Sequence, residues 1–133
     1  MNILTLDFET YYDRIFSLSK ITTEQYIRDP QFETIGVAVK ENDGETRWFS
    51  GTHDEIAKFL GGYDWGNSAL LAHNAMFDAA ILSWRFNIKP RAILDTLSMA
   101  RALHGSEVGN SLAKLSIYYA LGEKGTEVVD ALG

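Results

Sequence analysis

Leu4-Thr5-Leu6-Asp7-Phe8-Glu9-Thr10 is the stretch on which the reading of this chain turns. Side chains of a β-strand alternate between its two faces, so residues two apart point the same way. Leu4, Leu6 and Phe8 therefore point to one side, and Asp7 and Glu9 project together from the other. Two carboxylates held side by side repel each other, and one of them tends to stay protonated in an empty site. A cation between them removes that conflict. All-oxygen ligands select hard ions, Mg²⁺ or Mn²⁺ ahead of Zn²⁺. The stretch thus predicts a carboxylate-metal site at the end of a buried strand.

The remaining composition sets bounds. A length of 133 residues fits one domain, residues 1–133, with enough chain for a core. The absence of cysteine excludes disulfides and thiolate metal sites. No apolar run approaches the ~20 residues of a membrane span. The N-terminus opens directly on a strand pattern, so a cytoplasmic location is expected. The net charge of −6 is unhelpful for holding nucleic acid by phosphate neutralisation. A nucleic-acid role would rest on bound metal, on stacking or on a basic neighbouring domain.

Outward from the opening stretch, residues 3–8 read as the first strand. Thr22 with Gln25 forms a capping box, and Asp29-Pro30 stops the short helix it starts. Residues 32–40 read as a second strand with Ile35, Val37 and Val39 on one face. Glu41-Asn42-Asp43-Gly44 signals a hairpin into a third strand over 45–50. A helix over 54–60 ends at Gly61-Gly62. A strand over 68–72, a helix over 74–86 broken at Lys89-Pro90, a strand over 92–95 and helices over 96–103 and 111–121 complete the order. The expected architecture is α/β, a mixed five-stranded sheet with helices on both sides.

Ala72-His73-Asn74-Ala75-Met76-Phe77-Asp78 is the second constellation. It follows an apolar strand and opens a helix. Asn74 and Asp78 are four apart and would share a helix face. Asp78 is a candidate third metal ligand, and Asn74 would orient it or contact substrate. Asp95, at a strand end running into a helix, reads chiefly as an N-cap, with a supporting role near the metal site as the lesser reading. His73 reads as a structural hydrogen-bonding residue in preference to a general base, because bound metal already activates water. Trp48, Trp65 and Trp84 read as core or partly buried in preference to base-stacking platforms. Arg85, Lys89 and Arg91 form a small basic cluster that would face phosphates or simply solvate a helix end.

Asp-x-Glu-Thr on a first strand, His-Asn-x-x-Phe-Asp entering a helix and Asp-Thr entering the next resemble the DEDD (DnaQ-like) 3′–5′ exonucleases. The resemblance is nearest to the proofreading exonuclease domain of family A DNA polymerases of phage type, and it covers essentially the whole chain, residues 22–39 and 111–132 included. It implies a ribonuclease H-like fold. It also implies that Asp7, Glu9 and Asp78 are three of four carboxylates holding two divalent ions, Mg²⁺ or Mn²⁺. Thr10 would lie beside the terminal nucleotide through its backbone or hydroxyl. Asn74 would support the second motif, and Phe77 would sit at the substrate, with core packing as its plainer role. The implied partners are a single-stranded DNA 3′ end and a polymerase domain, in a bacterial cell or a phage-infected host.

The family's fourth carboxylate is an Asp on a late helix, preceded four residues earlier by Tyr or His. Here Tyr119 is followed by Glu123, and Asp130 is preceded by Thr126. The expectation is that the fourth motif lies beyond Gly133, that the fold lacks its last helix, and that the isolated chain is weakly active or inactive. A partner chain could supply the missing group, and a symmetric dimer could cover the sheet face left open. Two other readings compete: a stand-alone nuclease acting on RNA or short oligonucleotides, and a degenerate exonuclease-like binding module.

Overall fold

The computed structural model describes residues 1–104. Five strands, β1 (Asn2–Thr10), β2 (Thr34–Glu41), β3 (Thr46–Ser50), β4 (Ser68–Ala72) and β5 (Ala92–Asp95), form one sheet in the order β3-β2-β1-β4-β5. β2 is antiparallel to both β1 and β3, while β1, β4 and β5 run parallel. Four helices connect or follow them: α1 (Thr23–Arg28), α2 (His53–Gly61), α3 (Ala75–Phe86) and α4 (Thr96–His104). The expected helix over 111–121, Tyr119 with Glu123, and Asp130 lie outside the described residues. No helix among the described residues is long and apolar enough to cross a membrane.

Local chemistry explains the elements. Capping boxes start α1 at Thr22 with Gln25 and α2 at Thr52 with Glu55, each satisfying orphan amides reciprocally. The hairpin between β2 and β3 turns at Asn42, whose φ of 51° suits a residue that tolerates the left-handed region. The Asn42 Oδ1 also accepts from the Ile3 amide at 2.9 Å, which fastens the turn to the start of β1.

The alternation of β1 is the organising fact. Leu4, Leu6 and Phe8 are buried, while Thr5 and Asp7 are exposed. The buried face meets Tyr26 and Ile27 of α1, Ile56 and Leu60 of α2, and Ile81 and Leu82 of α3. Burying each of the isoleucines and leucines among them stabilises the fold by about 1.5–3 kcal/mol. Among the described residues, the helices that enter this core all serve one face of the sheet. α4 contributes nothing to this core; its first residue, Thr96, lies beside Thr5 and Asp7 of the opposite face. On the other face Ile3, Thr5, Asp7 and Trp48 are exposed, and the core helices α1, α2 and α3 leave it open among the described residues.

Candidate active site

β1 runs further than the strand beside it. Its parallel ladder with β4 ends at Thr5↔Leu71, whereas its antiparallel ladder with β2 continues to Thr10↔Thr34. Backbone groups of residues 6–10 on the β4 edge therefore need other partners. Asp78, in the first turn of α3, supplies one: its Oδ1 accepts from the Phe8 amide at 3.4 Å.

That contact carries Asp78 into the protein, 5% exposed. Burial foremost pushes its carboxyl up to about 8. The Phe8 amide pulls the other way, and the negative charge of Asp7 adds to the rise. Asp7 is exposed and Glu9 half-buried on the open face of β1. Asp7 and Asp78 thus feel each other's charge from neighbouring elements. Among the described residues, no three His, Asp or Glu side chains converge into a ready-made metal cage. The donor chemistry nonetheless fits a hard divalent ion. The groups are oxygen-only, and Asp78 meets both a desolvation cost and a like charge that a cation would offset.

Asn74 takes a different position from the one expected. It does not share a helix face with Asp78, because it lies outside α3 as its N-cap residue, left-handed at φ 62° and ψ 55° and without a side-chain cap bond. This conformation redirects the chain from β4 into α3. The Asn74 amide donates to Asp95 Oδ1 at 2.9 Å. The same oxygen accepts from the Leu97 amide at 3.0 Å, and Ser98 Oγ donates to Asp95 Oδ2 at 3.2 Å. Asp95 therefore caps α4 and fixes the approach to Asp78 with one side chain. Its partial burial raises its pKa, but hydrogen bonds from the Ala75, Leu97 and Asn74 amides and the Ser98 hydroxyl together hold it below the ordinary carboxylate value.

His73 Nδ1 lies 3.0 Å from Thr96 Oγ1, which donates to the Ala72 carbonyl at 3.3 Å. His73 Nε2 is buried without a hydrogen-bond partner among the described residues. A cleft of about 250 Å³ on the open face is lined by Thr5, Asp7, Leu71, His73 and Thr96. A second cavity, of about 130 Å³, lies between Phe32, Thr34, Thr52 and Arg85 and contains none of the site carboxylates.

Thr10 and Phe77 are engaged by one ring. Tyr26 donates its hydroxyl proton to the Tyr11 carbonyl, so the Thr10 hydroxyl, 2.8 Å away, is the donor to Tyr26. Thr10 is 9% exposed. Its hydroxyl is thereby occupied, which leaves the backbone as the route by which it would meet a substrate. The half-buried Phe77 lies against Tyr26, ring centroids 6.2 Å apart. Tyr26 itself escaped the sequence reading, since nothing local marks it as the residue that ties down the end of β1. Arg85 differs from the basic-cluster reading. Its Nε and Nη2 donate to the carbonyls of Ile27 and Asp29, both at 2.7 Å, and its guanidinium lies 4.9 Å over the Phe32 ring.

The strand order, the antiparallel β2 and the helix entering after β4 define a mixed α/β fold of ribonuclease H-like type. Solved nucleases and a polymerase share it. Brucella melitensis NrnC bound to pGG matches with a TM-score of 0.65 and 13% identity, covering 93% of this chain and 55% of that one. Trypanosoma brucei RNase D in complex with RNA U12 matches with a TM-score of 0.62 and 16% identity, covering 97% of this chain and 43% of that one. The family B DNA polymerase of the hyperthermophilic archaeon Pyrobaculum calidifontis gives 0.61 and 17%, covering 92% of this chain and 18% of that one. NrnC has also been solved with bound Mg²⁺. The chain spans about half the length of NrnC. At these identities the likeness establishes the fold. No protein-family model and no curated protein matches the sequence.

Proposed function

We propose that this chain is a divalent-metal-dependent 3′–5′ exonuclease module that removes terminal nucleotides from single-stranded ends. The observation that carries the reading is the placement of Asp78 against the Phe8 amide, within the field of Asp7. Asp7, Glu9 and Asp78 would hold the metal, two ions when a fourth carboxylate completes the set. Such ions lower the pKa of a water and stabilise the leaving oxygen of a phosphodiester. The protein's own contribution is positioning. The Phe8 amide holds Asp78, Asp95 holds the turn before it, and Tyr26 fixes the end of β1 beyond Glu9. Little covalent chemistry falls to the side chains in such a transfer.

The Asp-x-Glu-Thr and His-Asn-x-x-Phe-Asp pair favours a proofreading role beside a polymerase domain, on a DNA 3′ end, in a bacterial cell or an infected host. A second reading, a nuclease acting on RNA or short oligonucleotides, is favoured by the ligands of two proteins with this fold, pGG and RNA U12. One experiment tests both. 5′-Labelled single strands of DNA and RNA with the same sequence are incubated with the chain and Mn²⁺. Slow, stepwise shortening from the 3′ end, lost in Asp7→Ala, is expected, with DNA preferred under the proofreading role. Internal cleavage, or shortening that survives Asp7→Ala, would overturn the proposal.

A further inference from the structure

We infer that the indole of Trp48 is a stacking platform for a base of the single strand whose end lies at Asp7 and Glu9. The inference rests on the nuclease reading above and adds a binding residue to it. Trp48 lies on β3, and the register Asp7↔Ala38↔Trp48 puts it on the sheet face that carries the carboxylates. Two strand spacings, about 10 Å, separate its backbone from that of Asp7. The side chain leans toward the site. A Cβ built on Gly36 would come within 2.5 Å of the indole Cη2 and Cζ2 atoms, and Gly36 is the residue opposite Glu9. Glycine is what allows the ring to lie on the β2 backbone there, and Trp48 as a whole remains 50% exposed.

The other tryptophans are spoken for. Trp65 is 7% exposed and donates its Nε1 proton to the Leu60 carbonyl. Trp84 carries the Arg28 guanidinium 4.4 Å above its ring. Lys40, opposite Thr5 and on the same face as Trp48, adds a cation for a neighbouring phosphate. A protein with a net charge of −6 gains little from phosphate neutralisation, so an open aromatic surface beside the site is where affinity for a single strand would arise.

The test measures binding of the intact chain to a short oligothymidylate and to an abasic strand of equal length, with Ca²⁺ as the divalent ion. The wild type is expected to prefer the strand with bases. Trp48→Leu should weaken that strand on the order of tenfold, leave the abasic strand unchanged, and be largely rescued by Trp48→Phe. Tryptophan emission should be quenched by the oligothymidylate in the wild type and not in Trp48→Phe. Equal binding by wild type and Trp48→Leu, or quenching that persists in Trp48→Phe, overturns the platform and leaves the nuclease reading intact. Failure of the wild type to bind either strand removes both.

Discussion

The Oδ1 of Asp78 lies 3.4 Å from the main-chain nitrogen of Phe8, 70 residues away in sequence. Through this contact a core strand holds a carboxylate that the interior would otherwise reject. Phe8 serves both sides at once: its ring stacks on Phe86, with centroids 6.0 Å apart, while its amide faces the site.

The first prediction concerns pH. Asp78 titrates near 8 when folded and near the ordinary 3.8 when unfolded. Between those values the folded chain binds more protons than the unfolded one, so metal-free stability falls as pH rises from about 4 to about 8. Thermal melts with a chelator at acid and alkaline pH should show this slope, and Asp78→Asn should remove most of it. Mn²⁺ should raise the melting temperature most at the alkaline end, where the carboxylate is ionised. A slope unchanged in Asp78→Asn would place its origin elsewhere.

Asp95→Ala removes the cap of α4 and the anchor of the Asn74 amide together. Loss of the cap alone should cost about 1 kcal/mol in urea unfolding. The nuclease activity proposed above should fall by more than stability accounts for, because the turn that presents Asp78 loses its hold. Activity equal to wild type in a folded Asp95→Ala protein would show that the turn holds itself.

Tyr26→Phe keeps the ring stack, with Phe16 at 4.7 Å, and deletes the hydroxyl between Thr10 and Tyr11. The Thr10 hydroxyl and the Tyr11 carbonyl then lose their shared partner, at about 1–3 kcal/mol for the buried group left unpaired. The double variant Tyr26→Phe/Thr10→Val should recover part of that loss, as read from urea midpoints.

Arg85→Met should lower stability through the two carbonyls it abandons. It should leave the salt dependence of oligonucleotide binding unchanged, since a residue committed to Ile27 and Asp29 neutralises no phosphate. A shallower salt slope in Arg85→Met would return Arg85 to the nucleic-acid interface.

What could be read from the chain alone followed the range of the physics. The strand at Ser68–Ala72 and the strand at Ala92–Asp95 were legible because apolar runs end in local breakers. The cap at Thr22 was legible because a capping box spans three residues. Asp7 and Glu9 share a face because strand alternation is local. Asn74 escaped because a left-handed residue at the junction looks, in sequence, like the first residue of the helix. Arg85 and Tyr26 escaped because their partners lie 58 and 16 residues away. The half-exposed placement of Trp48 was not legible because its ring lies over Gly36 in the neighbouring strand.

The short ladder of β4 has a consequence for the whole site. The pocket for Asp78 is a gap in a sheet: β4 stops at Ala72 where β1 continues to Thr10, and the carboxylate takes a place that one more turn of strand pairing would have filled. Extending β4 would give the sheet better hydrogen bonding and a more stable protein, and it would close the opening through which Asp78 reaches Phe8.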